Sequence, residues 1–141
     1  MSTEENKAVI RRLIEEFINQ GNTAVAEALV AEDHVALDPV PGQEQGRAGL
    51  VASIARMRTA FPDLEWTIED QVAEGDTVAV SFVWRGTHQG EFLGIPPTGK
   101  RVTVSGMGFD YCAAGQCKKS RIVMDTMSLM HQLGVVPPPG Q

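Results

Sequence analysis

The sequence is short of positive charge. Twelve Lys and Arg stand against eighteen Asp and Glu, giving a net charge of −6 and a pI ≈ 5.0. That balance excludes nucleic acid and anionic membrane as expected partners, because both select basic patches. The densest cationic group, Lys118-Lys119 with Arg121, is too small for a nucleic-acid stripe. No apolar run reaches ~18 residues, so no membrane span is expected. The N-terminus, MSTEENKAVIRR, has no signal-peptide core, and the chain reads as cytoplasmic. The only two cysteines, Cys112 and Cys117, flank AAGQ. Across a hairpin they could cross-link, but a reducing cytosol favours two free thiols. Two Cys and three scattered His make no metal-ligand cluster. Glycine-rich phosphate loops and Walker motifs are missing too.

What remains suits one soluble globular domain spanning 1–141, with 43% hydrophobic and 21% charged residues. Ser2 and Glu5 make a capping-box pair. Val9, Ile10, Leu13, Ile14, Phe17 and Ile18 then repeat at helical spacing, and Gly21 is a natural stop. Asn22 or Thr23 can cap a second, short helix with inner face Val25, Ala26, Leu29 and Val30. DHVALDPVPGQEQG (33–46) reads as a loop with a short strand at His34–Leu37. Leu50, Val51, Ile54, Met57 and Phe61 mark a third helix, which Pro62 ends.

The period then changes from helical to two. Leu64, Trp66 and Ile68 alternate with polar residues, EGD (74–76) is a turn, and Val78, Val80, Phe82 and Trp84 form the buried face of a long strand. After the Gly- and Pro-rich GEFLGIPPTGK comes RVTVSGMGFDYC, where Gly106 and Gly108 predict a bulge or sharp bend. AAGQ closes a hairpin into the last strand, CKKSRIVMD. Residues 126–133 form a terminal helix stopped by Gly134, and 135–141 read as a tail. Three helices, four successive strands and a final short helix make an α+β fold. A curved, mainly antiparallel sheet wrapped around the first helices would leave a cone-shaped pocket.

One carboxylate stands out. Asp125 lies among Ile122, Val123, Met124, Met127, Leu129 and Met130, where a lone acid is costly unless paired or used. It could equally cap the helix beginning at Thr126, and the two roles are compatible. Arg121, Val123 and Asp125 share one strand face, with Arg121 and Asp125 ~13 Å apart along the strand. His88 continues the buried parity of the 77–88 strand, or is a loop residue. His34 and His131 read as surface residues, and the methionines as core fillers that also suit an adaptable pocket. Asp110 opposes the parity of Met107 and Phe109, so its facing stays open.

The segments AFPDLEW (60–66), EGDTVAVSFVWRGTHQGEFLGIPPTGKRVTVSG (74–106) and DTMSLMHQLGVVP (125–137) resemble the SnoaL-like polyketide cyclase family. That family belongs to the nuclear-transport-factor-like and ketosteroid-isomerase-like α+β cone superfamily. The resemblance implies that Asp125, seven residues before the Gln of Gln132-Leu133-Gly134, is the catalytic acid/base. It places His88, within Gly86–Gly90, in the same pocket, with Arg121 beside them. The expected pocket wall is Phe17 and Leu37 near the N-terminus, and Met57 and Phe61 from the third helix. Trp84, Phe92, Met107, Phe109 and Val123 would complete it from the sheet and its connection, and Leu129 from the last helix. The implied chemistry is an intramolecular aldol closure of an apolar or aromatic, polyketide-like substrate without a cofactor, in a homodimer. Two alternatives stand beside it. One is an isomerase, dehydratase or epoxide hydrolase on the same scaffold, the last drawing on Asp125, Arg121 and Asp110. The other is a non-catalytic ligand-binding or dimerisation module.

Overall fold

The computed structural model describes residues 2–137, so most of the tail expected at 135–141 lies outside the described residues. The chain begins with α1 (Thr3–Arg12), closed by the capping box: Glu5 N–H donates to Ser2 Oγ at 3.1 Å and Ser2 N–H to Glu5 Oε1 at 3.4 Å. The expected single helix to Ile18 widens after Arg12 into a π-helical stretch, Leu13–Ile18. Its apolar side chains Leu13, Ile14 and Phe17 stay buried, so the wider turn keeps the stripe on the core. Gly21 then takes φ +70, a conformation a β-carbon would strain, and ends the segment.

Asn22 caps α2 (Thr23–Leu29) by accepting from Ala24 N–H at 3.2 Å. Val30, expected on this helix, instead opens strand β1 (Val30–Ala36), four residues earlier than the strand read from sequence. The reason is tertiary: β1 pairs in parallel with the last strand, Val30 opposite Cys117 and Ala36 opposite Ser120. Next comes α3 (Gly46–Ala60), stopped before Pro62 as its sequence requires. Four antiparallel strands follow: β2 (Glu65–Glu74), β3 (Thr77–Thr87), β4 (Arg101–Ala113) and β5 (Gln116–Met124). Helix α4 (Thr126–Leu133) ends the described fold. The five-stranded sheet is open and mixed, in the order β1-β5-β4-β3-β2, and the architecture is α+β.

Gly106 and Gly108 do not mark a bulge. The β3–β4 register runs unbroken from Thr77–Tyr111 to Thr87–Arg101. What the glycines provide is room. A β-carbon on Gly106 would come within 2.5 Å of Phe82, and one on Gly108 within 2.3 Å of Ile122. Phe82 stacks on Trp66 with ring centroids 4.1 Å apart, so the space over Gly106 is filled by an aromatic pair. Cys112 and Cys117 face each other across the β4–β5 hairpin, and both are free and buried. No helix among the described residues is long and apolar enough to cross a membrane.

Candidate active site

A cavity of about 160 Å³ lies between the helices and the inner face of the sheet. Its apolar wall comes from α1 and its π-helical continuation (Ile10, Leu13, Ile14, Phe17) and from α3 (Leu50, Ile54, Met57). The sheet adds Trp66, Val80, Phe82, Ile122 and Met124. Its polar wall comes chiefly from β1, β4 and β5: His34, Asp110, Cys117 and Ser120, with Asp38 and Gln43 on the loop after β1. The cavity is therefore greasy, with titratable groups concentrated on one side.

Asp110 is the buried carboxylate of that side, only 7% exposed. Val102 and Val104 are buried on β4, and the two-residue period carries the same facing through Asp110 and Cys112. Ser120 is its direct cross-strand neighbour and donates its hydroxyl to Asp110 Oδ1 at 2.7 Å. The Cys117 thiol points at the same oxygen, 3.6 Å away. Burial pushes the Asp110 carboxyl up from 3.8 to about 6, against the pull of these two donors. The Cys112 thiol is pushed up to about 11 by burial and the nearby Asp110, and Cys117 higher still for the same causes. Both thiols therefore keep their protons and act as weak donors. On β1, His34 is 2% exposed, and its Nε2 lies 3.0 Å from Ser120 Oγ. Burial lowers its pKa, so the ring is neutral near pH 7. The surface placement read for His34 from sequence is thus corrected: the parallel β1–β5 pairing draws it inward.

The residues singled out from sequence are distributed differently. Asp125 is exposed and caps α4, accepting from Ser128 N–H at 3.0 Å. It does not line the cavity, because it ends the outward-facing row of β5 that also carries Arg121 and Val123. Arg121 pairs with Asp38 rather than Asp125, its Nε 3.3 Å from Asp38 Oδ2 and both side chains about half exposed. His88 is buried as its parity requires, but it pins the 88–99 connection: Thr98 N–H donates to Nδ1 at 3.2 Å and Thr98 Oγ1 lies 3.0 Å away. Its ring packs on Phe61, 5.4 Å between centroids, and Phe61 contacts Trp84 and Phe92 edge-on. These four residues make an aromatic cluster outside the cavity wall. Phe17 and Met57 do line the cavity. Leu37 is half-buried beside it, donating its N–H to the Ser120 carbonyl at 2.8 Å, and Leu129 is sealed under α4. Met107, Phe109 and Val123, expected inside, project from the opposite face of the sheet, 60%, 47% and 54% exposed. The alternation that turns Asp110 inward turns them outward.

Sequence reasoning passed over Asp110, His34 and Ser120 as a group. For Asp110 the signal was present in the parity from Val102 and Val104. The apolar Met107 and Phe109 on the other face obscured it.

No curated protein matches the chain significantly. Solved structures do. TsrD from Streptomyces laurentii is 25% identical, covering 96% of this chain and 99% of its own, with a TM-score of 0.88. IdmH from Streptomyces antibioticus, a candidate polyketide cyclase, is 30% identical over 92% of this chain and 98% of its own, with a TM-score of 0.79. AclR from Streptomyces galilaeus, a candidate hydroxylase, is 26% identical over 99% of this chain and 87% of its own, with a TM-score of 0.83. The family profile of the SnoaL-like polyketide cyclases matches residues 8–133. Taken with the fold and its cavity, that match over most of the length means that the chain belongs to the SnoaL-like polyketide cyclase family.

Proposed function

We propose that the protein is an enzyme of cyclase type that moves a proton on a mainly apolar, carbonyl-bearing substrate, with Asp110 as the general acid/base. The observation that carries this reading is a buried carboxyl, pushed up to about 6, in the wall of an otherwise greasy cavity. At pH 7 most of it is ionised and able to take a proton. Asp110 would remove the acidic α-proton of a β-dicarbonyl compound. The resulting enolate carbon attacks a second carbonyl of the same molecule, and the proton returns from Asp110 to the new alkoxide. The apolar wall of Leu13, Phe17, Ile54 and Phe82 holds the substrate folded and keeps water away. The role first expected of Asp125 passes to Asp110 in this reading.

Two comparisons support proton transfer over the alternatives. An epoxide hydrolase of Asp–Arg–Asp type wants a second buried carboxylate. Among the described residues Asp110 is the only buried one, and Arg121 lies on the outer face paired to Asp38. A purely binding module has no need to keep an ionisable group in an apolar cavity at the desolvation cost this entails. The test is a carbon-detected titration of the Asp110 carboxyl, with and without a planar polyphenolic ketone. A midpoint near 6 that moves on ligand addition supports the reading. A midpoint in the ordinary aspartate range, indifferent to ligand, overturns it.

Asp125 offers a control. Asn is as good an N-cap as Asp, so Asp125→Asn is expected to cost no more than ~0.5 kcal/mol of stability and to leave turnover intact. Loss of turnover in a folded Asp125→Asn variant would return the catalytic role to Asp125.

The outer face of the sheet supports a homodimer. Val72, Met107, Phe109 and Val123 form an exposed apolar patch there, and such patches mark association surfaces. Two copies joined through it would bury these side chains while leaving the cavity on the far side of the sheet. Sedimentation should show a dimer for the parent chain and a monomer for Met107→Lys/Phe109→Glu. A parent chain that sediments as a monomer at micromolar concentration would overturn this assignment.

A further inference from the structure

We propose that His34 and Ser120 form a proton relay that serves Asp110, an inference that rests on Asp110 being the acid/base group. It starts from a count of protons. The Ser120 hydroxyl lies 2.7 Å from Asp110 Oδ1 and 3.0 Å from His34 Nε2, yet it owns one hydrogen. It can donate to only one of them at a time, and the protonation state of Asp110 decides which.

When Asp110 is ionised, Ser120 donates to Oδ1. The Ser120 oxygen then accepts from His34, so neutral His34 must carry its proton on Nε2. When Asp110 is protonated on Oδ1, the direction reverses. Oδ1–H donates to Ser120, Ser120 turns its hydrogen to Nε2, and His34 must carry its proton on Nδ1. Both states satisfy Asp110 Oδ1, Ser120 Oγ and His34 Nε2, and passage between them is a transfer. The Asp110 O–H bond breaks as a Ser120 O–H bond forms. The original Ser120 O–H bond breaks as His34 Nε2–H forms, and Nδ1–H breaks to release a proton to water. One proton enters at Asp110 and one leaves at His34; no electrons change hands. The reverse sequence reloads the acid.

A buried carboxylate in a greasy cavity has use for such a path. The cavity wall contributed by α1, its π-helical continuation and α3 carries no titratable side chain, so none can exchange protons with Asp110 from that side. The other charged or titratable groups facing the row are few. Cys112 and Cys117 stay protonated, as described above, and Cys117 sits 3.3 Å from Ser120 Oγ as a supporting contact. Asp38, also in the cavity wall, is held by Arg121. Asp110 and His34 are therefore the two groups between which a proton can pass through a single hydroxyl.

The experiment needs no substrate. The parent chain, labelled with ¹⁵N-histidine and ¹³C-aspartate, is titrated by NMR from mildly acidic to mildly alkaline pH. The expected result is that His34 changes from the Nδ1–H to the Nε2–H tautomer as Asp110 loses its proton, with one shared midpoint. In Ser120→Ala the link is cut. His34 keeps one tautomer while Asp110 still titrates, at higher pH because a donor to its carboxylate is gone. Ser120→Thr, which keeps the hydroxyl, restores the switch. A His34 that holds one neutral tautomer, or becomes imidazolium, through the Asp110 midpoint overturns the relay and leaves Asp110 as a base. Coupling that survives in Ser120→Ala overturns it as well. An Asp110 midpoint at the ordinary aspartate value removes the base assignment itself, and the relay with it.

Discussion

Asp110→Asn is expected to lower turnover by ~10²–10⁴-fold, the usual worth of a positioned general acid/base, while making the protein more stable at alkaline pH. Both effects have one cause. The Asp110 carboxyl is held in an environment that penalises its charge, pushed up to about 6 from 3.8. Between those two values the unfolded chain is ionised while the native state keeps its proton. Stability is therefore full below 3.8, falls as pH rises through about 6, and stays at the lower level above it. The gap corresponds to ~3 kcal/mol. Asn is neutral, nearly the same shape, and still offers Oδ1 to the Ser120 hydroxyl. It also brings two donors that find no ready acceptor, which takes back ~1 kcal/mol or more, so the net gain at pH 8 should be no more than ~2 kcal/mol. Denaturant unfolding of parent and variant from pH 4 to pH 8 measures it. The parent curve should slope downward from pH 4 to about pH 6 relative to the variant and then level off. Parallel curves would show that Asp110 does not titrate in the window, and its case as a base would fail with it. With substrate in hand, the parent rate should rise through pH ~6 as the base ionises.

Phe61→Ala should cost ~3–5 kcal/mol of stability, the range for removing a buried aromatic side chain. Phe61 is fully buried at the end of α3, in contact with Trp84, His88 and Phe92 at centroid distances of 5.0, 5.4 and 5.2 Å. Gly86 lacks a side chain because a β-carbon there would sit 2.9 Å from Phe61. The Ala60 carbonyl accepts from Gln89 N–H at 2.9 Å and Gly90 N–H at 3.1 Å, so the same corner anchors the 88–99 connection. Loss of the ring should therefore lower Tm and expose that connection to faster amide exchange. Because the cluster lies outside the cavity wall, turnover per folded molecule at low temperature should be unchanged. This separates the structural reading of Phe61, Trp84 and His88 from the catalytic one. A Phe61→Ala variant that stays folded but loses turnover would place the aromatic cluster in the working site.

Much of this protein could be read before any coordinate. Ser2 with Glu5, Gly21, Asn22 and Pro62 are local signals, each acting within one turn of chain, and the structure follows them. The hairpins at EGD and AAGQ and the period-two strands are local as well, and with the segregated helices they suffice for an α+β class. His88, open from sequence between a buried parity counted from Val78 and a loop position, is buried and lies just past the end of β3. The tertiary structure decided which of two apolar faces of β4 meets the helices. Gly106 and Gly108 leave room on the inner face for Phe82 and Ile122, so Asp110 turns in while Met107 and Phe109 turn out. It decided also that residues 30–36 form an edge strand beside β5, which joins His34 to Ser120 across 86 positions of sequence. A strand's period is written in its own residues, but a parallel partner is chosen by the whole fold. Asp125 looked isolated only along the chain; in space it holds a helix end, and the acid left to explain is Asp110.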